Sequence, residues 1–315
     1  MFDPVKFIDE SIESIKKQTN GKAIIACSGG VDSSVAAVLA GKALGDNLLA
    51  VFVDTGLMRK NEPEEVEAMF RDSGIELRTV DASEEYFQAL KGVTDPEKKR
   101  KTIGEKFIRI FEREAKDFGA KYLVQGTIAP DWIESGADGN VKIKSHHNVG
   151  GLPEDMDMVL VEPLRNLYKD EVRQVARELG IQSSERQPFP GPGLAVRCLA
   201  DITPENIRIV REACHIVEDE VMKASEGENM VLPWQYFAVL LPSRSVGVSK
   251  SGRSYGMTVV IRAVESTDGM TALHSDVPLQ VLNGISKRIT DTLGDDVSRV
   301  VYDLTDKPPA TVEWE

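Results

Sequence analysis

The sequence has few of the residues that build disulfide frameworks, and it has no long apolar run. Its three cysteines, Cys27, Cys198 and Cys214, are widely spaced and form no CxxC pair. This odd count argues against a disulfide framework and favours a reducing, intracellular setting. No apolar run reaches the roughly 20 residues that a membrane helix needs. The first 18 residues lack the basic and then apolar pattern of a signal peptide, so we expect a cytoplasmic protein that does not associate with a membrane.

The sequence also has fewer basic than acidic residues, 38 Lys and Arg against 51 Asp and Glu, which gives a net charge of -13. Binding of nucleic acid depends on neutralising phosphates with Lys and Arg, so this charge argues against a nucleic-acid partner. The composition, 41% hydrophobic and 28% charged, is typical of a globular metabolic enzyme. A length of 315 residues exceeds a typical single core and predicts two domains.

Short apolar runs alternate with amphipathic stretches over the first 180 residues. We predict strands at 23–27, 48–53, 75–80, 121–125 and 159–161, and helices at 3–18, 31–44, 62–73, 102–118 and 169–179. This alternation indicates an α/β fold, a doubly wound parallel sheet with helices on both faces. The polar, glycine-rich stretch 126–157 is too long for an ordinary connection and is predicted to be a lid.

Three prolines and two glycines within residues 188–193 can form neither a helix nor a central strand, and they mark a domain boundary. We predict domains at 1–190 and 191–315. The second is expected to be a smaller α+β dimerisation domain. Its predicted helices are 204–223 and 279–293, and its predicted strands are 236–241, 255–264 and 299–304.

The segment Ser28–Ser34, SGGVDSS, connects the first apolar strand to a helix. The amides of a first helical turn lack intrahelical partners and carry positive partial charge, so an anion, most simply phosphate, is the expected ligand. The loop is neither a Walker A motif nor a GxGxxG turn. Because it has no lysine, Asp32 beside a phosphate would need a cation such as Mg²⁺. The alternative is an ordinary turn in which Ser and Asp cap the helix.

This loop resembles the pyrophosphate loop of the N-type ATP pyrophosphatases. Further segments, in the same order, are similar to the GMP synthase family: 50–59 (AVFVDTGLMR), 130–135, 144–153, 162–173, 189–197 (FPGPGLAVR), 262–265 and 307–315 (KPPATVEWE). They cover most of the chain. Lys250-Ser251 depart from the resemblance, since many relatives have Gly-Asp there.

The resemblance implies an adenine-nucleotide-hydrolase-like fold and a set of site residues. ATP would lie on Ser28, Gly29, Gly30, Val31, Asp32, Ser33 and Ser34, with its adenine near Ala26 and Phe52 and with Mg²⁺ held at Asp32. Catalytic roles would fall to Asp32, Ser33 and the lid residues Asp131, Glu134 and Lys144, with Lys142 as the alternative lysine. XMP would contact Arg197, Arg253, Lys307 and Glu313.

The reaction implied is adenylation of XMP by ATP with release of pyrophosphate, followed by attack of ammonia to give GMP. The usual enzyme has a glutaminase domain upstream, which needs a nucleophilic cysteine. This chain begins almost at the synthetase segment, so the resemblance implies a separate glutaminase subunit. It also implies a homodimer formed through the C-terminal domain.

Other functions remain open at this point. Another N-type pyrophosphatase, such as an NAD synthetase, is the alternative enzyme, whereas a tRNA thiolase would want a basic surface and catalytic cysteines. A nucleotide sensor without turnover is the non-enzymatic alternative. A zinc site at His146-His147 is weakly supported, because no third ligand is spaced nearby. The segment 188–193 could be a linker and the last nine residues a frayed tail.

Overall fold

The chain folds into two compact units whose segments alternate along the sequence. The computed structural model describes residues 2–130, 158–181, 187–227, 230–249, 252–267 and 269–315. The first unit contains Met1–Thr55, Asn61–Ala82 and Ile103–Arg186, and the second contains Gly56–Lys60, Ser83–Thr102 and Gln187–Glu315. The second unit thus takes two short segments from the N-terminal half, which the sequence did not indicate. The functional domains 1–190 and 191–315 stay a prediction.

A five-stranded parallel sheet forms the centre of the first unit, as predicted. Its strands are β1 (Ala23–Ala26), β2 (Leu48–Asp54), β3 (Leu77–Asp81), β4 (Tyr122–Val124) and β5 (Val159–Val161). Their order is β3-β2-β1-β4-β5, and every neighbouring pair is parallel. β1 and β2 are almost entirely buried, as expected of apolar strands covered on both faces.

The helices of this unit are α1 (Pro4–Gln18), α2 (Val31–Leu44), α3 (Glu62–Asp72), most of α5 (Pro96–Phe118) and α6 (Lys169–Glu178). α5 begins six residues before the predicted start at 102. Its early start has a local cause, because Asp95 Oδ1 accepts from the Lys98 N–H at 2.8 Å and Pro96 suits the first turn. A further helix, α4 (Ser83–Leu90), belongs to the second unit and was not predicted.

The second unit is an α+β domain, as predicted, and its sheet has four strands where three were predicted. Its strands are β6 (Gln235–Ser249), β7 (Gly252–Glu265), β8 (Leu273–His274) and β9 (Val297–Tyr302), and its longer C-terminal helices are α7 (Pro204–Glu226) and α8 (Leu279–Leu293). β6, β7 and β8 are antiparallel neighbours, whereas β9 runs parallel to β7. β6 extends eight residues beyond its predicted end at 241, since pairing with β7 continues to Ser249 despite an irregularity after Leu241.

Buried groups in both units are apolar for the most part. All three cysteines are free and buried, and burial raises the pKa of the Cys198 thiol to about 12. None of the described helices is long and apolar enough to cross a membrane.

Phe52 allows the sheet core to be tested. Its side chain has no exposed surface, and its backbone pairs with Thr79 of β3. We expect Phe52→Ala to lower the free energy of unfolding by about 3–5 kcal/mol, because the cavity is enclosed on both sheet faces. Denaturant unfolding followed by circular dichroism measures this loss. The control is Val159→Ala at the exposed edge strand β5, where we expect about 0.5 kcal/mol or less. Equal losses for the two variants would contradict this account of the core.

Candidate active site

The turn between β1 and α2 is tightly constrained by its neighbours. The Cys27 N–H donates to the Val51 carbonyl at 2.8 Å, which continues the pairing of β1 with β2 up to the turn. Gly29 then adopts φ +76°, and a Cβ there would lie 3.1 Å from Val66 Cγ2 and 3.2 Å from Glu62 Oε1. Both the backbone conformation and the space therefore require glycine at this position.

No described side chain caps the first turn of α2. The cap residue is Gly30, and the hydroxyls of Ser33 and Ser34 donate to its carbonyl at 3.0 and 2.9 Å. Ser28 Oγ lies 3.1 Å from Ser33 Oγ and accepts from the Gly30 N–H at 3.4 Å. The serines thus brace the loop without acting as side-chain caps, which contradicts the ordinary capped turn considered from the sequence. The amides of Val31 and Asp32 lie in the first turn of α2, where helical N–H groups have no intrahelical partner and can bind an anion.

Asp32 is paired with a lysine that the sequence did not single out. Lys169 Nζ donates to Asp32 Oδ2 at 2.6 Å, across 137 residues of sequence. Lys169 is the first residue of α6, whose start is fixed by Glu171, since Oε2 of Glu171 accepts from the Tyr168 N–H at 2.9 Å. A lysine ammonium therefore lies beside Asp32, and the binding of Mg²⁺ there stays a prediction. Lys169 lies in the segment 162–173 that resembles the family, but nothing in that segment indicates that the lysine contacts Asp32.

Gly126 supports the same turn from the end of β4. A Cβ at this glycine would lie 2.9 Å from the carbonyl carbon and oxygen of Asp32 and 3.0 Å from the Ser33 nitrogen. The neighbouring Thr127 is buried, and its Oγ1 has no hydrogen-bond partner among the described residues. The backbone after β4 thus packs directly on the first turn of α2, a contact that sequence reasoning missed.

The remaining predicted nucleotide contacts in the first unit differ in burial. Ala26 ends β1 and is half-buried, at the carboxyl edge of the sheet where ligands of such folds bind. Phe52 is fully buried within β2, so its side chain contributes to the core beneath that edge. Their contact with adenine stays a prediction. The lid residues Asp131, Glu134 and Lys144, with Lys142, lie outside the described residues.

Two predicted substrate contacts in the second unit pair with each other. Arg197 donates to Glu313 through Nε at 3.0 Å and through Nη2 at 2.7 Å, a bidentate ion pair. The guanidinium lies 4.1 Å from the centre of the Phe237 ring, and Gln235 Nε2 donates to Glu313 Oε1 at 3.0 Å. Although burial acts to lower it, the carboxylate of Glu313 raises the pKa of Arg197 above its usual value. Arg197 Nη1 is buried and has no partner among the described residues.

The other two predicted contacts lie elsewhere in this unit. Lys307 Nζ donates to the Gly269 carbonyl at 2.7 Å, and its backbone pairs with Ala272. Arg253 lies at the exposed start of β7, beside the end of β6. Their contact with a substrate stays a prediction.

Comparison with known proteins decides the family. Residues 219–314 match the family described as GMP synthase C terminal domain, and residues 3–115 match the family described as NAD synthase. A subunit of the glutamine-hydrolyzing GMP synthase of Pyrococcus furiosus is 59% identical over 98% of this chain and 97% of its own length. The corresponding subunit of Methanocaldococcus jannaschii is 59% identical over the full length of both chains. The chain belongs to this family of GMP synthase subunits.

Membership in this family confirms the resemblance found in the sequence. The match to NAD synthase contains the turn at Ser28–Ser34, and the GMP synthase match contains Lys307 and Glu313. The GMP synthase subunit of Thermoplasma acidophilum is 53% identical over 98% of both chains. A solved NMN synthetase from Francisella tularensis is 18% identical with a TM-score of 0.48, covering 62% of this chain and 79% of that one, a similarity too low to indicate function.

Gly126 allows the predicted anion site to be tested. We expect Gly126→Ala to weaken binding of inorganic pyrophosphate by about tenfold or more, because the new methyl group would displace the backbone of Asp32 and Ser33. Isothermal titration calorimetry measures the affinity. The control is Gly104→Ala in α5, where a Cβ would meet no atom within 4 Å. Binding that stays unchanged in Gly126→Ala would show that anions do not use this turn.

Proposed function

We propose that this chain is the ATP-dependent ligase that converts XMP and ammonia to GMP, with AMP and pyrophosphate as the other products. The observation that carries the proposal is the uncapped first turn of α2, braced by Ser28, Ser33 and Gly126 and facing Lys169. This arrangement suits the phosphates of ATP. The names of the relatives give the substrate class, since they are GMP synthase subunits.

The turn would act by alignment and by neutralisation of charge. The amides of α2 and the hydroxyls of Ser33 and Ser34 would hold the triphosphate, while Lys169 compensates its negative charge. The C2 oxygen of XMP would form a bond to the α-phosphorus as the bond to the pyrophosphate oxygen breaks. Ammonia would then attack C2 and AMP would leave, which gives GMP. Both steps depend on holding the reacting atoms in line.

Magnesium fits the donor set at this turn. Asp32 Oδ1 is buried and has no hydrogen-bond partner among the described residues, although Oδ2 is bonded to Lys169. Across those residues, no group of three His, Cys, Asp or Glu side chains could hold a metal alone. Mg²⁺ commonly binds through one or two carboxylates together with substrate phosphates, so Asp32 would hold it jointly with ATP. The ion would supply positive charge that stabilises the leaving pyrophosphate.

Residues of the lid and of the second unit have proposed roles as well. Asp131, Glu134 and Lys144 would help to exclude water from the adenylated intermediate. Arg197, Arg253, Lys307 and Glu313 would contact XMP, and Ala26 and Phe52 would border the adenine.

The relatives are each named as one subunit of a glutamine-hydrolyzing enzyme, which supports a separate glutaminase subunit as the source of ammonia. We also propose that the protein is located in the cytoplasm.

Release of pyrophosphate from ATP tests this function directly. We expect release that requires both XMP and Mg²⁺ and yields GMP when ammonium is supplied. Asp32→Asn and Lys169→Met should each lower kcat/KM by about 100-fold or more, because each removes a charge beside the phosphates. The control is Lys121→Met, an exposed residue before β4, which should retain full activity.

The same assay separates the alternatives. Release that depends on deamido-NAD⁺ in place of XMP would support an NAD synthetase. Binding of ATP without any release of pyrophosphate would support a nucleotide sensor. Either outcome would overturn the proposed reaction.

We further propose a homodimer formed through the β6–β7 hairpin of the second unit. Val246 pairs with Tyr255 across the two strands, and Val248 lies two residues along on the same face. All three side chains are exposed, Val248 at 88%, which is unusual for adjacent apolar residues. A second copy of this chain would cover the patch.

Sedimentation equilibrium tests the dimer. We expect the native chain to sediment as a dimer and Val248→Glu to sediment as a monomer, because a buried unpaired charge opposes association. The control is Leu279→Glu at the exposed start of α8, which should remain dimeric. A dimeric Val248→Glu variant would place the interface elsewhere.

A further inference from the structure

Buried cationic side chains form hydrogen bonds to the last residues of the chain. We use the term C-terminal tail for residues 305–315, which lack helix and strand apart from the pairing of Lys307 with Ala272. Arg262 is fully buried and donates to the carbonyls of Thr305 and Thr311, the second at 3.0 Å. Arg197 holds Glu313, as described above. Two arginines of the second unit therefore hold the tail in its position.

Lys99 is the third buried cation that bonds to the tail, and the proposed reaction assigns it no role. It lies near the start of α5 and is 0% exposed. Its Nζ donates to Glu315 Oε2 at 2.6 Å, to the Cys198 carbonyl at 2.8 Å and to the Ala195 carbonyl at 3.3 Å. Three acceptors use all three N–H groups of the ammonium.

These acceptors lie on both sides of the Arg197–Glu313 pair. Ala195 and Cys198 flank Arg197 in the chain, whereas Glu315 lies two residues after Glu313. One ammonium group thus bonds the segment that carries the guanidinium to the segment that carries its carboxylate. A displacement of Glu315 away from Arg197 would therefore strain or break the bond that Lys99 makes to Glu315.

The buried lysine contributes more by fixing the position of the tail than by filling space. Burying an ammonium is costly unless it is fully bonded, and an apolar side chain of similar length would fill the same space without that cost. The ammonium adds three bonds of defined geometry. Its effect is therefore to fix where the tail lies.

We propose that Lys99 is a positioning residue, which locks Glu315 and the segment 195–198 in one arrangement so that Lys307 and Glu313 are set for the nucleotide substrate. The proposal rests on the function proposed above. Lys99 itself does not contact the reacting atoms.

Hydrogen exchange of the intact protein without substrate tests the lock. In Lys99→Met, we expect the tail amides, including those of Lys307 and Ala310, to exchange at least about tenfold faster than in the native chain. The control is Lys98→Met, whose exposed side chain precedes Lys99 in the same helix. Because no substrate is present, this measurement decides whether Lys99 orders the tail even if the chain does not use XMP.

Steady-state kinetics then test the consequence. We expect Lys99→Met to raise the KM for XMP by roughly 10- to 100-fold and to leave the KM for ATP unchanged, since the phosphate turn belongs to the first unit. Glu315→Gln keeps a hydrogen-bond acceptor for Lys99 but loses its charge, and it should show a smaller shift in the same direction. This variant decides the matter if Lys99→Met does not fold.

The proposal would be overturned if tail exchange and the KM for XMP in Lys99→Met matched those of Lys98→Met. It would also be overturned if the tail exchanged faster while the KM for XMP stayed constant. An equal rise in both KM values would indicate general destabilisation and would likewise contradict it.

Discussion

The proposed function requires the first turn of α2 to keep its amides open to ATP while neighbouring residues hold its backbone in place, and much of the first unit packs around that turn. A side-chain cap would satisfy the amides and close the site, so the serines of the loop bond to one another and to the Gly30 carbonyl instead. Rigidity comes from behind the turn, where Gly29 approaches Val66 and Gly126 approaches Asp32. Close packing therefore favours glycine at both positions, and the positive φ of Gly29 is a second reason at that position.

Charge is arranged in the same way at one place in each unit, where an ion is matched by an opposite one. Asp32 at the turn is matched by Lys169, and Glu313 in the tail is matched by Arg197. Each pair also leaves one polar atom without a partner among the described residues, Asp32 Oδ1 in one and Arg197 Nη1 in the other. A structure that satisfies most of a buried group and leaves one atom open is the pattern expected where a ligand supplies the last bond.

The sequence predicted the parallel sheet and the turn that joins β1 to α2 because both depend on local signals. β1 is an uninterrupted apolar run, and the turn after it carries glycine and serine at the start of a helix. The early start of α5 and the length of β6 were not predicted. Their residues are polar or irregular, and the local pattern does not show what stabilises them. In α5 this is the Asp95 cap and the buried bonds of Lys99, and in β6 it is pairing with β7.

The site shows the same division between local and distant interactions. Ser28, Ser33 and Asp32 could be assigned from a single segment, since one strand and one helix place them. Lys169 and Gly126 could not, because each reaches the turn from another strand or helix, and nothing in a lysine at a helix start or a glycine after a strand indicates which turn it contacts. Burial adds a second limit. Lys99 belongs to a run of four basic residues, 98–101, whose pattern is typical of an exposed helix surface. The structure shows that Lys99 is instead buried and bonded to three acceptors. Sequence patterns therefore indicate candidate ligand contacts more readily than the groups that hold those contacts in place.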